Sequence, residues 1–497
     1  MNTKKSINKK SFTRRSFISS AAKSGIALTV VPSHVISGLG HIPPSDKLNV
    51  AGIGVGGKGK VNIGNIVGQN IVALCDVDWD YSAPLVKKYP KAQIWKDYRE
   101  MLDNQKDIDA CVIATPDHTH TLPAMIAMQL GKHVYVQKPL TQTIWESRQL
   151  QQAARKYKVA TQMGNEGHSS DSVYRLAEYI QSGIIGEITE VHLWTDRPYS
   201  WWPQGIERPK ERPPVPANLE WDLFLGPAPL RPYHPAYTPF RWRGWWDFGT
   251  GALGDMGCHV FDTAYYALQL GAPVSVHASS TPLYAETAPI SSRVEYIFPA
   301  RKDLPNVKMP EVKVIWFDGG MLPPRPEELP DGDPLGSNIF IGTKGKIMCN
   351  TYGSKMKVLP LGKSYNEPAE SLKRIPDHPL GGGRHEMDWV RACKEDPETR
   401  KETASNFEVA CPLTEMVLLG NLAIRLQGLN RRLLWDDRLM KVINVNPGET
   451  VRMLESVEYR DILPGKEPAC FKKWKELNAA ESAENWIRPK YREGWNW

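Results

Sequence analysis

No two of the seven cysteines form a CxxC pair; positions 75, 111, 258, 349, 393, 411 and 470 are scattered and odd in number. That excludes a disulfide framework and a cysteine-built structural zinc. Cys75 and Cys111 close apolar runs and are expected to pack in a core. No stretch reads as a stable membrane span. Net charge is missing too, once its source is removed. The formal +7 comes from residues 1–44, which hold Lys4, Lys5, Lys9, Lys10, Arg14, Arg15 and Lys23 and no acid. Without those seven, the 62 basic residues become 55, equal to the 55 acids. A neutral body gives no footprint for nucleic acid or an anionic membrane. Hydrophobic content of 41% and charged content of 24% are those of an ordinary globular protein. At 497 residues two domains with real cores are expected.

The acid-free start has the make-up of a leader. Ser11-Phe12-Thr13-Arg14-Arg15-Ser16-Phe17-Ile18 places paired arginines after a basic region. The mildly apolar stretch 18–31, interrupted by Lys23, is too short and too polar to span a bilayer. Residues 1–44 resemble a twin-arginine export signal, which implies export of an already folded protein, to the periplasm.

The chain is organised around residues 48–76. An apolar run leads into Gly52-x-Gly54-x-x-Gly57, and a second run, Ile71-Val72-Ala73-Leu74-Cys75, ends in Asp76. Strand, glycine turn, helix, strand and acid make the dinucleotide-binding fingerprint in its proper context. Gly52 suits a tight turn, Gly54 close backbone approach to a pyrophosphate, and Gly57 close packing of the helix on the strand. Asp76 would accept from ribose hydroxyls and repel a 2′-phosphate, so NAD is the expected cofactor. From 46 to 164 strand and helix patterns alternate with short loops, which predicts a doubly wound parallel sheet. Ligands of such sheets bind beyond the strands' carboxyl ends. Two loops on that edge carry chemistry: Thr115-Pro116-Asp117-His118-Thr119-His120, and Gln137-Lys138-Pro139. Lys138 follows a buried strand directly and could donate to a substrate oxygen or relay a proton. Taken alone, His118 and His120 favour packing at a helix N-terminus.

Residues 196–246 form an irregular insert with eleven prolines from Pro198 to Pro239. Seven of the 17 tryptophans lie between Trp194 and Trp246. They could stack on sugar rings or anchor a long loop to the body. After Trp245-Trp246, glycines lead into a helix with Asp255 and His259 four residues apart on one face. Asp262 could hold or balance that imidazole. A carboxylate beside a histidine that takes a hydroxyl proton suits hydride removal from an alcohol. The same pair could start a metal site, but no third ligand is obvious, so no metal is expected. Glu166 and His168 fall at the expected domain junction. Gly381-Gly382-Gly383-Arg384-His385 opens a later helix, so Arg384 or His385 could reach substrate or pack at the helix end.

The glycine turn, the Thr-Pro-x-x-x-His loop and the Lys-Pro pair resemble the Gfo/Idh/MocA oxidoreductases, of the glucose–fructose oxidoreductase and inositol dehydrogenase kind. The stretch Gly251 to His259 resembles that family's Gly-rich Asp-x-x-x-His signature. This chain departs at Gln137, where the family has Glu. The resemblance covers roughly residues 46–440. It implies a Rossmann domain at 46–164 and a substrate-binding α+β domain with a large, mostly antiparallel sheet at 165–455, followed by a tail at 456–497. It implies Lys138, Asp255 and His259 as catalytic residues. Gly52, Gly54, Gly57, Asp76, Thr115, Pro116, His120, Gln137 and Lys138 become expected cofactor contacts. Glu166, His168, Trp245, Trp246 and His385 are candidate substrate contacts. Assembly through the large sheet is expected. The implied activity is NAD-dependent oxidation of a hydroxyl on a sugar, polyol or glycoside, with a tightly held, recycled cofactor. Two alternatives stay open: a glycosidase or lyase working through transient sugar oxidation, and an inactive sugar-binding protein.

Overall fold

The structure, a computed structural model, describes residues 46–361, 366–460 and 469–497. The leader expected over 1–44 lies outside the described residues. The first sheet is made of β1 (Asn49–Ile53), β2 (Asn70–Cys75), β3 (Gln93–Trp95), β4 (Ala110–Ile113), β5 (His133–Val136) and β6 (Thr161–Met163), the central β1 and β4 being apolar runs buried on both faces. All six are parallel, in the order β3-β2-β1-β4-β5-β6. Helices α1 (Lys58–Asn65), α2 (Trp79–Lys88), α3 (Tyr98–Asn104), α4 (Thr121–Gln129) and α5 (Ile144–Tyr157) make the crossovers. Helix α5 begins where the sequence dictates. Thr143 accepts from the Glu146 amide while Glu146 reaches back to the Thr143 amide, a reciprocal cap.

Past α6 (Asp171–Gln181) the chain builds a nine-stranded sheet, ordered β13-β12-β11-β7-β10-β9-β8-β14-β15. Its strands are β7 (Ile188–Trp194), β8 (Ser275–Ser280), β9 (Ser292–Phe298), β10 (Val312–Phe317), β11 (Asn338–Gly342), β12 (Lys346–Cys349), β13 (Lys357–Leu359), β14 (Leu433–Asp436) and β15 (Lys441–Val442). Strand β10 runs parallel to β7, and the other described pairings are antiparallel. The fold is thus a Rossmann-type parallel sheet joined to a domain with a large, mostly antiparallel sheet, as the resemblance implies.

Helices α7 (Trp221–Leu225), α8 (Gly251–Leu268), α9 (Arg384–Cys393) and α10 (Phe407–Arg425) complete the body. Helix α10 is long and apolar enough to cross a membrane, but most of it is buried in the protein core. The chain expected to be tail from 456 starts inside β16 (Thr450–Arg460), which pairs with β17 (Ala469–Asn478) and is followed by α11 (Ala479–Ile487). Alternation in this hairpin is masked by its charged residues. The last residues wrap the body: Trp497 stacks on Trp145, Trp495 lies against Tyr98, and the Tyr491 hydroxyl donates to Glu146 at 2.5 Å.

Helix α8 is fixed from behind by α10. Gly420 of α10 lets α8 approach: a Cβ there would sit 2.0 Å from Tyr296 Oη and 2.5 Å from Leu253 Cδ2. Gly420→Ala should therefore lose about 2–3 kcal/mol to overpacking. Helix propensity returns about 1 kcal/mol of it. Gly64, in α1, would meet only Lys88 Nζ at 3.7 Å, so Gly64→Ala should be neutral or stabilising by up to about 1 kcal/mol. Denaturant unfolding of both variants checks the opposite signs.

Candidate active site

The glycine turn divides its labour differently from the sequence expectation. Gly54 carries the positive φ of +77°, and a Cβ on it would lie 2.7 Å from the main chain of Ala114 and Thr115. Close packing of helix on strand falls to Gly59, whose Cβ would meet Gly54 O at 2.0 Å, and not to Gly57. Gly57 and Gly56 instead face the ring of Tyr81, which leans over the turn. Asp76 holds the turn itself: Oδ2 accepts from the Val55 and Gly56 amides at 2.7 and 3.0 Å, and Oδ1 from Asp78 at 2.9 Å. Burial raises its pKa to about 6 despite those three bonds.

This turn borders a cavity of about 650 Å³, within the range of cofactor sites. Gly54, Gly56, Gly57, Asp76, Thr115, Pro116, His120, Gln137 and Lys138 line it, and so do Glu166, Asp255 and His259. Gly52 does not; it lies within β1. The cradle fits a dinucleotide: small residues sit where the backbone must be bare, a carboxylate follows β2, and the buried Thr115 hydroxyl has no partner among the described residues. No group of three or more His, Cys, Asp or Glu among the described residues could hold a metal ion.

The catalytic candidates meet at the other end. Lys138, the second residue past β5 and joined to Pro139 by a cis peptide, donates through Nζ to Asp255 Oδ1 at 2.9 Å and to the Asp255 carbonyl at 2.6 Å. Arg243 Nε approaches the same Oδ1 at 3.2 Å, and Arg197 lies 3.6 Å from Oδ2. Burial alone would raise the Asp255 carboxyl; the charges of Lys138 and Arg243 outweigh it and hold the group well below the carboxylate range. His259, one turn on, moves the other way. Burial, reinforced by Lys138, lowers it to about 3, so the ring is neutral at physiological pH. Its Nδ1 is buried without a partner among the described residues.

Several candidates do other work. Asp262 does not serve His259: its Oδ1 pairs with His168 Nδ1 at 2.7 Å, leaving His168 buried and away from the cavity. His385 is also interior, bonded to Met163 O and Ser169 Oγ at 2.7 Å each, while Arg384 pairs with Asp171 and Asp377. Trp245 is fully buried in the insert's own core, and Trp246 faces a different cavity. Glu166 does line the site but is engaged by Lys58 at 2.5 Å. Both ring nitrogens of His120 face carbonyls, Pro139 O and Thr115 O, so it ties the two loops together. His118 pins the insert through the carbonyls of Phe224, Leu225 and Phe248. Gln137 turns inward and donates to Asn62 Oδ1 at 2.8 Å, and Asn62 donates on to Glu386 at 2.9 Å.

The residues missed are Arg197, Arg243, Trp201, Tyr352 and Asp117, all on the cavity wall. Arg197 stands just past β7, a position that could have been read as a strand's carboxyl end. Arg243 lies in the aperiodic insert and gives no signal. Asp117 sits inside the Thr115–His120 loop motif with no spacing of its own to single it out. Its Oδ2 accepts from the Thr250 hydroxyl and amide at 2.6 and 3.0 Å, capping the start of α8. Burial raises Asp117 to about 7. A carboxyl raised in the folded state favours folding fully below its unfolded pKa, near 4, and loses that contribution as pH rises through about 7. Asp117→Asn should therefore remove part of the fall in stability between pH 4 and 8, by about 1–4 kcal/mol. Unfolding of the nucleotide-free protein at several pH values measures it; parallel curves for the two proteins would contradict the assignment.

Comparison with known proteins agrees with this geometry. Residues 48–165 match the model of an oxidoreductase family's NAD-binding Rossmann fold, and 170–301 that family's C-terminal alpha/beta domain. The chain is 28% identical over 240 residues to a D-glucoside 3-dehydrogenase of Escherichia coli, covering 48% of this chain and 58% of that protein. It is 25% identical over 198 residues to a levoglucosan dehydrogenase of Pseudarthrobacter phenanthrenivorans, 39% and 41% of the two chains. An alpha-N-acetylgalactosaminidase of Shewanella oneidensis is 31% identical over 171 residues, 32% and 37%. The chain thus spans about half the length of the curated relatives it matches. Among solved structures, the WlbA dehydrogenase of Bordetella pertussis, in complex with NADH and UDP-GlcNAcA, shares the fold with a TM-score of 0.51 at 18% identity, over 78% of this chain and 99% of that one. The two family models together cover just over half of the sequence, and with the glycine turn, the Lys138 loop and the Asp255–His259 helix around one cavity, the chain belongs to the Gfo/Idh/MocA family of NAD-binding oxidoreductases.

Proposed function

We propose that the protein oxidises a hydroxyl of a sugar, polyol or glycoside. The observation that carries this is the sharing of one cavity by the dinucleotide turn and by Lys138, Asp255 and His259. Bound NAD supplies the hydride acceptor. Asp255 anchors Lys138 Nζ at the strand end, where it donates to the substrate oxygen. His259, neutral and on the wall of the same cavity, takes the hydroxyl proton. Asp76 favours NAD over NADP by charge. The names of the relatives point to carbohydrate as the substrate class. Trp201, half exposed on the cavity wall with Arg197 stacked 3.3 Å from its ring centroid, offers a flat face to a sugar ring.

A second reading, redox-neutral cleavage of a glycoside, is favoured by two observations. One is the likeness to the Shewanella glycosidase. The other is the way the insert covers the Asp76 loop: Glu220 N donates to Val77 O, Trp79 N to Asn218 O, and Asn218 Nδ2 to Asp78, while Leu219, Leu223 and Phe224 close the cavity. A cofactor beneath such a cover is retained and recycled in place.

Lys138→Ala and His259→Ala should each lower turnover about 10²–10⁴-fold while leaving NAD bound. Asp255→Asn should lower it less. NADH accumulating with a glycoside supports net oxidation; aglycone release without added NAD supports the second reading. Full turnover by the Lys138→Ala, His259→Ala double variant would refute both. We also propose twin-arginine export, carried by Arg14 and Arg15: a lysine pair in their place should keep a reporter fused after residue 45 in the cytoplasm, and unchanged export would refute it.

A further inference from the structure

A second cavity, of about 430 Å³, shares no lining residue with the first. It lies between the insert, α11 and the last turn of α10, where Arg425 ends the helix. The Arg425 guanidinium sits over two indole rings, 4.6 Å from the centroid of Trp486 and 5.3 Å from that of Trp246. Those rings meet edge to face at 4.9 Å. Arg425 Nε and Nη1 are buried with no acceptor among the described residues, and so is the indole N–H of Trp246, a side chain only 5% exposed. Buried donors of this kind are normally satisfied, and leaving a charged one unpaired is unfavourable.

The charges around them do not supply the missing acceptor. Glu286 is engaged by Arg208 at 2.7 Å and Arg231 at 3.4 Å, and Asp247 by Arg231. Lys475 and Lys490 add positive charge to the wall, Lys490 with Glu481 at 3.4 Å. Pro227, Pro229 and Pro489 stand beside the tryptophans, and Gln142, Thr143, Asn485 and Tyr491 add neutral polar groups to the wall. A guanidinium and an indole N–H beside the flat faces of Trp486 and the prolines, in a wall with an excess of positive charge, match an oxyanion carried on an apolar ring.

We propose that this cavity is a binding site for an organic carboxylate, the carboxylate meeting Arg425 and the Trp246 N–H and the body of the ligand lying against Trp486 and the prolines. The site is separate from the catalytic cavity but touches its frame. Gln142, four residues after Lys138, donates to Trp246 O at 3.0 Å, and Trp246 leads into the helix of Asp255. The inference does not depend on the reaction proposed above.

Calorimetry on the full chain with benzoate, benzamide and phenyl phosphate tests it. Benzoate should bind at one saturable site, and neutral benzamide should not. Arg425→Met should weaken benzoate by about tenfold or more, and the exposed pair Lys475→Gln, Lys490→Gln by about threefold. Lys138→Ala should leave it unchanged. The lysine pair keeps the test open should Arg425→Met fail to fold, because unchanged benzoate affinity in that pair then overturns the proposal. It is also overturned if benzoate does not saturate, if benzamide binds equally, if phenyl phosphate binds and benzoate does not, or if Lys138→Ala abolishes binding.

Discussion

One carboxylate, Asp255, is shared by three cations from three parts of the chain. Lys138 comes from the end of β5, and Arg197 and Arg243 from the two ends of the insert. Charges removed from water are stable only when each is compensated with good geometry, so none of the three can be placed independently. Lys138 also donates to the Asp255 carbonyl, which fixes the helix backbone as well as the side chain. The same cluster accounts for His259. Beside Lys138 and out of water, the charged form of its imidazole is disfavoured, so the ring stands neutral at physiological pH with one nitrogen unprotonated.

Holding α8 in register is the work of contacts outside the chemistry. Asp117 caps its first turn through Thr250, Asn421 Nδ2 donates to Thr250 O at 2.8 Å, and α10 packs behind it across Gly420. Asp262 turns away from His259 to pair with His168 near the start of α6. The helix therefore presents its acids in two directions: Asp255 toward the cations of the cavity and Asp262 toward the interior.

The parallel sheet, the glycine turn, Asp76, Lys138 and the Asp255–His259 pair were legible because each is a local pattern: an apolar run, a turn residue, or a spacing on one helix. What stayed hidden depends on partners far away. Spacing placed Asp262 near His259 on the helix, but it cannot tell what lies opposite that face, and His168, 94 residues earlier, takes it. Trp245 and Trp246 looked like cavity walls because they adjoin the signature. Trp245 is interior because the insert builds a core of its own around Tyr237, Trp242 and Phe248, while Trp246 packs in the main core and borders the second cavity. Gln137 shows the same limit. The sequence reveals a missing carboxylate, but not that the amide is turned toward Asn62 and, through it, Glu386.

The insert decides how the cavity can open. It is joined to the Asp76 loop by main-chain bonds at Val77 and Trp79, to the His118 loop by three carbonyls, and to the chain's end by Arg492, whose amide donates to Pro227 O and whose Nε donates to Gly226 O. Trp495 then packs on Tyr98 and over Arg99, on the far side of the cofactor end. A cover tied down along three edges cannot swing away on one hinge, and opening it breaks several main-chain hydrogen bonds together. Trp201 and Arg197 stand on the wall of the same cavity, Trp201 half exposed, and neither takes part in those bonds.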